Sequence, residues 1–288
     1  MKFKTIIIST EAKLTYSEGF LVIESSNPNQ VYLDDVDSII IESLHVIIST
    51  YLLNEIAKRN INLVFCDERH NPSSQLLNLY NSFNASEKLF EQIRFDSNKK
   101  KELWTSIVKQ KIGMQSRLIE IIYGEKNYLK SYIDKVKYND STNQEAFAAR
   151  KYFTYLFGND FNRDKDCVIN SALNYGYTIL LSMVNRCICS YGYSTILGIK
   201  HKSNTNNFNL SCDIMEPFRT IVDMIVVQNA GRSEFDLEYK KIIIEALNGT
   251  IYYNKKEYKV ENAINRFFLN SIKYLKNKLK SIGEIDFK

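Results

Sequence analysis

The 288-residue chain has few of the features that staple small folds or mark a membrane protein. Its five cysteines are odd in number and include no Cys-x-x-Cys pair, which argues against a disulfide framework and against a structural zinc site. It has no apolar run of about 18 residues, the length expected of a transmembrane helix. The apolar stretch near the N-terminus is too short and too β-branched for a signal peptide. We therefore expect a cytoplasmic protein without a membrane partner.

The sequence motifs of several enzyme classes are also missing. The chain has no Gly-x-Gly-x-x-Gly, no Walker loop, no His-Glu-x-x-His and no Gly-x-Ser-x-Gly. The net charge of +5, from 38 basic and 33 acidic residues, is too small an excess to identify a nucleic-acid partner by itself. The hydrophobic fraction of 44% is ordinary for a folded chain, and the length allows two unequal domains.

Short β-branched or alternating runs dominate the first 72 residues and predict a β domain. Turn signals such as Glu18-Gly19 separate these runs, and a helix over residues 51–59, capped by Ser49 or Thr50, follows them. The polar segment around Pro72 is the predicted domain boundary. Strands are predicted over residues 5–9, 13–16, 20–24, 30–33, 38–41 and 62–66.

From about residue 76 onward the apolar residues recur at helical spacing. The clearest helical segments are residues 103–123, 144–157, 170–190 and 260–279. A small hairpin over residues 250–259 is the exception. The predicted fold class is therefore α+β, with an N-terminal β domain over residues 1–72 and a larger α-helical catalytic domain over residues 73–288.

Four residues form the candidate reaction centre: Glu145, His201, Asp213 and Glu216. Carboxylates are hard oxygen ligands suited to Mg²⁺ or Mn²⁺, and an added imidazole favours Mn²⁺ somewhat without excluding Mg²⁺. Basic residues surround these positions, as a metal-assisted reaction on DNA phosphodiesters requires. The basic candidates for DNA contact are Arg150, Arg163, Lys200, Lys202 and Arg219.

Each carboxylate also has a simpler interpretation. Pro217 favours a helix that begins close to it, so that Ser211 or Asp213 would be the N-cap of that helix. Glu145 could only place negative charge in the first turn of a helix, and Glu216 could be a solvated or paired carboxylate. The local sequence alone leaves these alternatives open.

Several separated blocks, in this order, make the whole chain resemble the universal integrase of CRISPR spacer acquisition, in particular the short form of type II systems. The blocks are Glu145-Ala-Phe-Ala-Ala-Arg-Lys-Tyr-Phe153, Leu156-Phe-Gly-Asn-Asp-Phe161 with Arg163, Asn170-x-x-Leu-Asn-Tyr-Gly-Tyr177, Leu197-Gly-Ile-Lys-His201 and Asp213-Ile-Met-Glu-Pro-Phe-Arg219.

The resemblance implies that Glu145, His201 and Glu216 are the catalytic metal ligands, with Glu216 standing where many relatives have Asp. Asp213 would then support these ligands without contacting the metal itself. The resemblance also implies that the N-terminal β domain pairs with its twin in a homodimer. Two such dimers would flank a dimer of a small ferredoxin-like partner in a heterohexameric complex. In type II systems the effector nuclease, and in some of them a ring-shaped DNA-end binder, associate as well.

The activity implied by the resemblance is insertion of short foreign DNA fragments into the CRISPR repeat by attack of a 3′-hydroxyl. Water in place of that hydroxyl would give endonuclease activity. Two other functions stay open on the sequence: a stand-alone structure-selective DNase, and a non-catalytic DNA-end scaffold. Because only neutral imidazole binds metal, we also expect activity to fall as the pH drops below roughly 6.5.

Overall fold

The computed structural model describes residues 4–78, 84–124 and 129–288 and divides the chain into two compact units, residues 1–83 and 84–288. The predicted α+β architecture is confirmed, because strands dominate the first unit and helices the second. The first unit is longer than the 72 residues predicted. Pro72–Gln75 forms an edge strand of this unit, and an edge position tolerates both the proline and the polar side chains.

Over residues 4–78 the N-terminal unit contains two four-stranded sheets and one α-helix. In one sheet the order is β1-β5-β7-β8, with β8 antiparallel to three parallel strands. In the other the order is β4-β3-β2-β6, an antiparallel meander with β6 added parallel to β2. The elements are β1 (Lys4–Ile8), β2 (Ala12–Ser17), β3 (Phe20–Glu24), β4 (Asn29–Tyr32), β5 (Val36–Ile41), β6 (Val46–Ile48), α1 (Thr50–Lys58), β7 (Asn62–Cys66) and β8 (Pro72–Gln75).

Local chemistry accounts for the turns and caps of this unit. The β2–β3 hairpin turns at Glu18 and Gly19, both with positive φ, as a two-residue turn that follows the strand twist requires. Ser49 caps α1, because its side chain accepts a hydrogen bond from the Leu52 N–H. Apolar side chains of both sheets and α1 pack into one core, in which Leu21, Leu33, Ile39, Leu52 and Leu63 are fully buried.

The C-terminal unit is a helical assembly and includes a small sheet of order β10-β9-β11. None of the helices in the described ranges is both long and apolar enough to cross a membrane. The elements are α2 (Ala85–Ile93), α3 (Ser97–Tyr123), α4 (Lys130–Lys135), α5 (Gln144–Phe157), α6 (Val168–Ser190), α7 (Asn209–Met215), α8 (Arg219–Gln228), α9 (Leu237–Leu247), β9 (Thr250–Tyr253), β10 (Lys256–Lys259), α10 (Val260–Leu275) and β11 (Ile285–Asp286).

Two differences from the sequence prediction concern the last segments of the chain. The predicted helix over residues 260–279 ends at Leu275. The following segment returns to pair β11 with β9, and the side chain of Gln110 on α3 bonds the backbone of Gly283 and Ile285. These side-chain bonds tie the final residues of the chain to the middle of α3.

Candidate active site

Glu145 is oriented by the start of α5. The Asp140 carboxylate accepts hydrogen bonds from the Gln144 and Glu145 N–H groups, at 2.8 and 3.0 Å, and so caps this helix. Glu145 does lie in the first helical turn, as its simpler interpretation requires. Its Oε1 also lies 2.7 Å from Nζ of Lys111, which projects from α3. This contact with a second helix shows that Glu145 does more than place negative charge in the first turn of α5.

Glu216 lies in a short 3₁₀ turn, Glu216–Phe218, between α7 and α8, and its side chain is buried. Arg219 Nε donates to Oε1 at 3.1 Å. Nζ of Lys111 lies 2.6 Å from Oε2 as an ion pair, although the direction of approach is not that of a hydrogen bond. One ammonium group therefore joins Glu145 and Glu216, which are far apart in sequence.

For Glu216 and Lys111, the neighbouring opposite charges shift the pKa more strongly than burial does. Burial alone would raise the pKa of Glu216, but Lys111 and Arg219 lower it to about 2. Burial alone would lower the pKa of Lys111, but Glu216 and Glu145 raise it. Glu216 and Lys111 are therefore both ionised at neutral pH.

His201 is held by Asp213, whose side chain is completely buried in the last turn of α7. The imidazole Nδ1 lies 2.6 Å from Asp213 Oδ1, and the carboxylate also accepts the N–H groups of Ile199, Lys200 and His201. The prediction that Ser211 or Asp213 is an N-cap is wrong, because α7 begins at Asn209. Asp213 shapes the preceding loop and orients the histidine ring.

The loop that carries His201 leaves no room for a larger residue at Gly198. A Cβ there would lie 2.3 Å from the His201 carbonyl oxygen and 2.9 Å from Asp213 Oδ2. Trp104 of α3 packs edge-on against the imidazole, with ring centroids 5.8 Å apart. Since Nδ1 is engaged by Asp213, Nε2 is the ring nitrogen left for a ligand. The hydrogen bond to Asp213 raises the pKa of His201, burial opposes this, and Glu216 and Glu145 add to the increase.

The five basic candidates have different surroundings. Arg219 lies over the Tyr177 ring, 4.6 Å from its centroid, and Arg163 lies near the same ring at 5.6 Å while bonding Asn170 and Asn174. The other three candidates, Arg150, Lys200 and Lys202, are exposed. These surroundings do not test contact with DNA. The DNA-binding role of all five residues therefore stays a prediction.

A cavity of about 230 Å³ is lined by Lys111, Arg163, Tyr177, Glu216 and Asp223, among others. The buried Asp223 of α8 accepts hydrogen bonds from the hydroxyls of Tyr152 (2.7 Å) and Tyr177. Gly176 lets α6 and α8 pack closely here, because a Cβ at this position would collide with Val222 of α8. The sequence analysis did not single out Lys111, Asp140 or Asp223.

Whether these residues suit a divalent cation can be judged from the donors present. Within residues 4–78, 84–124 and 129–288, no three histidine, cysteine, aspartate or glutamate side chains are arranged ready to hold a metal ion. Glu145 and Glu216 instead face each other across a largely buried cation, the Lys111 ammonium, whose side chain is 14% exposed. The donor atoms themselves, two carboxylates and an imidazole nitrogen, are of the types that bind Mg²⁺ and Mn²⁺ in proteins.

Fold and site together define a two-unit α+β protein whose helical unit brings Glu145 and Glu216 to one lysine and holds a histidine against Asp213. A family model described as CRISPR associated protein Cas1 matches residues 5–242. The chain belongs to this Cas1 family. The resemblance inferred from the sequence blocks is therefore confirmed.

Three known proteins illustrate the relationship. The CRISPR-associated endonuclease Cas1 of Neisseria meningitidis serogroup C (strain 8013) is 31% identical over 274 residues, which cover 92% of this chain and 90% of that protein. A casposase bound to integration product has a TM-score of 0.79 at 21% identity, covering 98% of this chain and 92% of that chain. A chain of a Cas6-RT-Cas1–Cas2 complex has a TM-score of 0.73 at 17% identity, covering 98% of this chain and 36% of that longer one.

Proposed function

We propose that this chain is a divalent-metal-dependent DNA integrase and endonuclease of CRISPR adaptation, which inserts short foreign DNA fragments as new spacers into the CRISPR array. The observation that carries the proposal is the pairing of Glu145 and Glu216 around one lysine ammonium in a chain of the Cas1 family. The name of the Neisseria relative, an endonuclease, and the integration product bound by the casposase support the same chemistry.

Glu145, Glu216 and Nε2 of His201 would hold Mg²⁺ or Mn²⁺. When bound, such an ion polarises the scissile phosphate and stabilises charge on the attacking and leaving oxygens. Asp213 keeps a proton on Nδ1 of His201, so that Nε2 stays free to coordinate. Arg219, fixed between Glu216 and the Tyr177 ring, is positioned to neutralise phosphate charge.

The reaction exchanges one phosphodiester bond for another. The 3′-hydroxyl of the incoming fragment loses its proton and forms a bond to phosphorus at the border of a repeat. The bond to the 3′-oxygen of the target strand breaks, and that oxygen takes up a proton. No covalent protein nucleophile is required, and attack by water instead gives hydrolysis.

The proposed partners are DNA, as protospacer fragments and CRISPR repeat, a second copy of the chain and a small ferredoxin-like Cas2-type protein in a heterohexamer. The name of the Cas6-RT-Cas1–Cas2 complex supports a Cas2-type partner. In the N-terminal unit, Leu44, Ile47 and Tyr51 are 57%, 68% and 59% exposed, which supports this unit as the dimerisation surface. The type II effector nuclease and a ring-shaped DNA-end binder are proposed as further associates.

The decisive experiment compares wild type with Glu145→Ala and His201→Ala in strand-transfer assays with Mn²⁺. Both variants should bind the DNA fragment but lose joining, because each removes a proposed ligand. Glu238→Ala, which removes an exposed carboxylate of the same unit, is the matched control and should join normally. Unchanged joining in the Glu145 and His201 variants would instead support a non-catalytic DNA-end scaffold.

The assay is repeated with and without the small partner protein. An integrase should gain insertion at the repeat border when the partner is added, whereas a stand-alone structure-selective DNase should cut branched DNA equally well without it.

A further inference from the structure

Lys111 is the cation at the centre of the glutamate pair. Its ammonium lies 2.7 Å from Oε1 of Glu145 and 2.6 Å from Oε2 of Glu216, and its side chain is only 14% exposed. Glu216 is kept in place from its other oxygen by Arg219. Removing the ammonium from this position would leave the buried carboxylate of Glu216 with one cation fewer, which is costly.

The position that Lys111 fills lies between the two carboxylates that would share a divalent ion. The two carboxylate oxygens can lie no farther apart than the sum of their distances to Nζ. Oxygen ligands lie about 2.0 to 2.6 Å from Mg²⁺ or Ca²⁺, so an ion shared by both oxygens would occupy nearly the position of the ammonium. Two cations cannot share that position, because like charges at such short range repel strongly.

A second acceptor for the ammonium lies one helical turn further along α3. Gln115 is 3% exposed, and its Oε1 has no hydrogen-bond partner within the described part of the chain. Gln115 and Lys111 are four residues apart, hence on one face of the helix, and both line the cavity of about 230 Å³. A buried acceptor without a partner is costly, and a lysine ammonium could satisfy it by changing its side-chain rotamer.

We propose that Lys111 is the built-in counter-ion of Glu145 and Glu216 in the metal-free protein, and that a divalent cation binds by displacing its ammonium towards Gln115. The proposal rests on the proposed function, since it assumes that both glutamates hold the metal. Lys111 keeps the two carboxylates close together before metal arrives. It also competes with the metal. A divalent cation therefore binds only when its interaction with the two carboxylates is stronger than that of the Lys111 ammonium.

The test measures Mn²⁺ binding by isothermal titration calorimetry at pH 8, without DNA. Lys111→Met removes the competing charge and keeps the length of the side chain, so it should bind Mn²⁺ at least about tenfold more tightly than wild type. Gln115→Met should bind more weakly, because the displaced ammonium loses its acceptor. Lys109→Met, which removes an exposed lysine of the same helix, is the matched control and should bind like wild type.

The double variant links the two residues. If the ammonium moves to Gln115, the weakening caused by Gln115→Met should vanish in the Lys111→Met background. Equal or weaker Mn²⁺ binding by Lys111→Met overturns the proposal. So does an effect of Gln115→Met that persists without Lys111.

Glu216→Gln separates this proposal from the metal site itself. If wild type binds no Mn²⁺, or Glu216→Gln binds it as well as wild type, both the metal site and the displacement are wrong. If Glu216→Gln loses Mn²⁺ while Lys111→Met gains no affinity, only the displacement is wrong.

A measurement on the wild-type fold covers the case in which Lys111→Met does not fold. In ¹⁵N-labelled protein the ammonium resonance of Lys111, assigned with Lys111→Arg, should shift as Mg²⁺ is added to saturation. A resonance that stays unchanged at saturating Mg²⁺ overturns the displacement.

Discussion

The cavity of about 230 Å³ is lined by two buried carboxylates, and each of them, with its partners, is here called one side of the cavity. On the first side, Glu216 faces Lys111 and Arg219, and its pKa is lowered to about 2. On the second side, Asp223 faces two tyrosine hydroxyls, and burial raises its pKa to about 6 although those hydroxyls and nearby arginines oppose the increase. The two residues are buried to nearly the same degree.

The difference shows that the neighbouring groups, and not the degree of burial, determine the charge of a buried carboxylate. Removal from water disfavours the charged form of both groups. Two close cations reverse that effect at Glu216, which therefore stays negative and can attract a metal ion. Hydroxyl donors only reduce it at Asp223, which is suited to fixing the two tyrosines and, through the Tyr177 ring, Arg219.

The largest expected effect is the loss of catalysis on the cation side. Glu216→Gln should slow strand transfer by at least about a hundredfold, because a bound metal contributes several kcal/mol of transition-state stabilisation. Asp223→Asn should slow it by less than about tenfold, since it only loosens Arg219. Single-turnover joining rates check both values. Equal losses in the two variants would contradict the division of the cavity into two sides.

A second expected effect concerns the pH dependence of stability. The pKa of Asp223 is raised from 3.8 to about 6 on folding, so between these pH values the native state binds more protons than the unfolded state. The stability of wild type should therefore fall relative to Asp223→Asn as the pH rises through this window, by up to about 3 kcal/mol. Urea unfolding of both proteins from pH 4 to 7 measures the difference. Parallel stability profiles would show that Asp223 titrates normally.

The smallest expected effects come from the two hydroxyls. Tyr152→Phe and Tyr177→Phe each remove one donor to Asp223 and keep the aromatic ring, so each should cost about 1 kcal/mol of unfolding free energy. Tyr177→Phe should also keep most of the joining activity, because Arg219 still lies over the ring. Chemical denaturation gives the first quantity and the joining assay the second. A hundredfold loss of joining in Tyr177→Phe would give its hydroxyl a direct role.

Elements with strong local signals could be predicted from the sequence. The strand over Phe20–Glu24 and the helix over Gln144–Phe157 have the predicted bounds, because alternation and helical periodicity are properties of neighbouring residues. The strands over Val46–Ile48 and Pro72–Gln75 were missed. Each has only three or four residues and lies at a sheet edge, where pairing with a distant strand, not local composition, determines the structure.

The candidate site was predictable only in part. Glu145, His201 and Glu216 stand in specific sequence blocks, but Lys111 is one lysine among several in the middle of a long helix. Its role follows from the packing of α3 against the start of α5 and the turn before α8, contacts between residues far apart in sequence. For Asp213 the local sequence left two interpretations open, a helix cap and a residue that supports the metal ligands, because it does not show whether a helix begins or ends there.

The long helix α3 carries both Trp104, which touches the His201 ring, and Lys111, which touches the two glutamates. These positions are seven residues apart, about two turns, and hence lie on the same face of one rigid rod. A small slide or rotation of α3 would move the neighbours of all three proposed ligands at once. A partner that binds the outer face of this helix would therefore change the contacts of all three proposed ligands without entering the reaction centre.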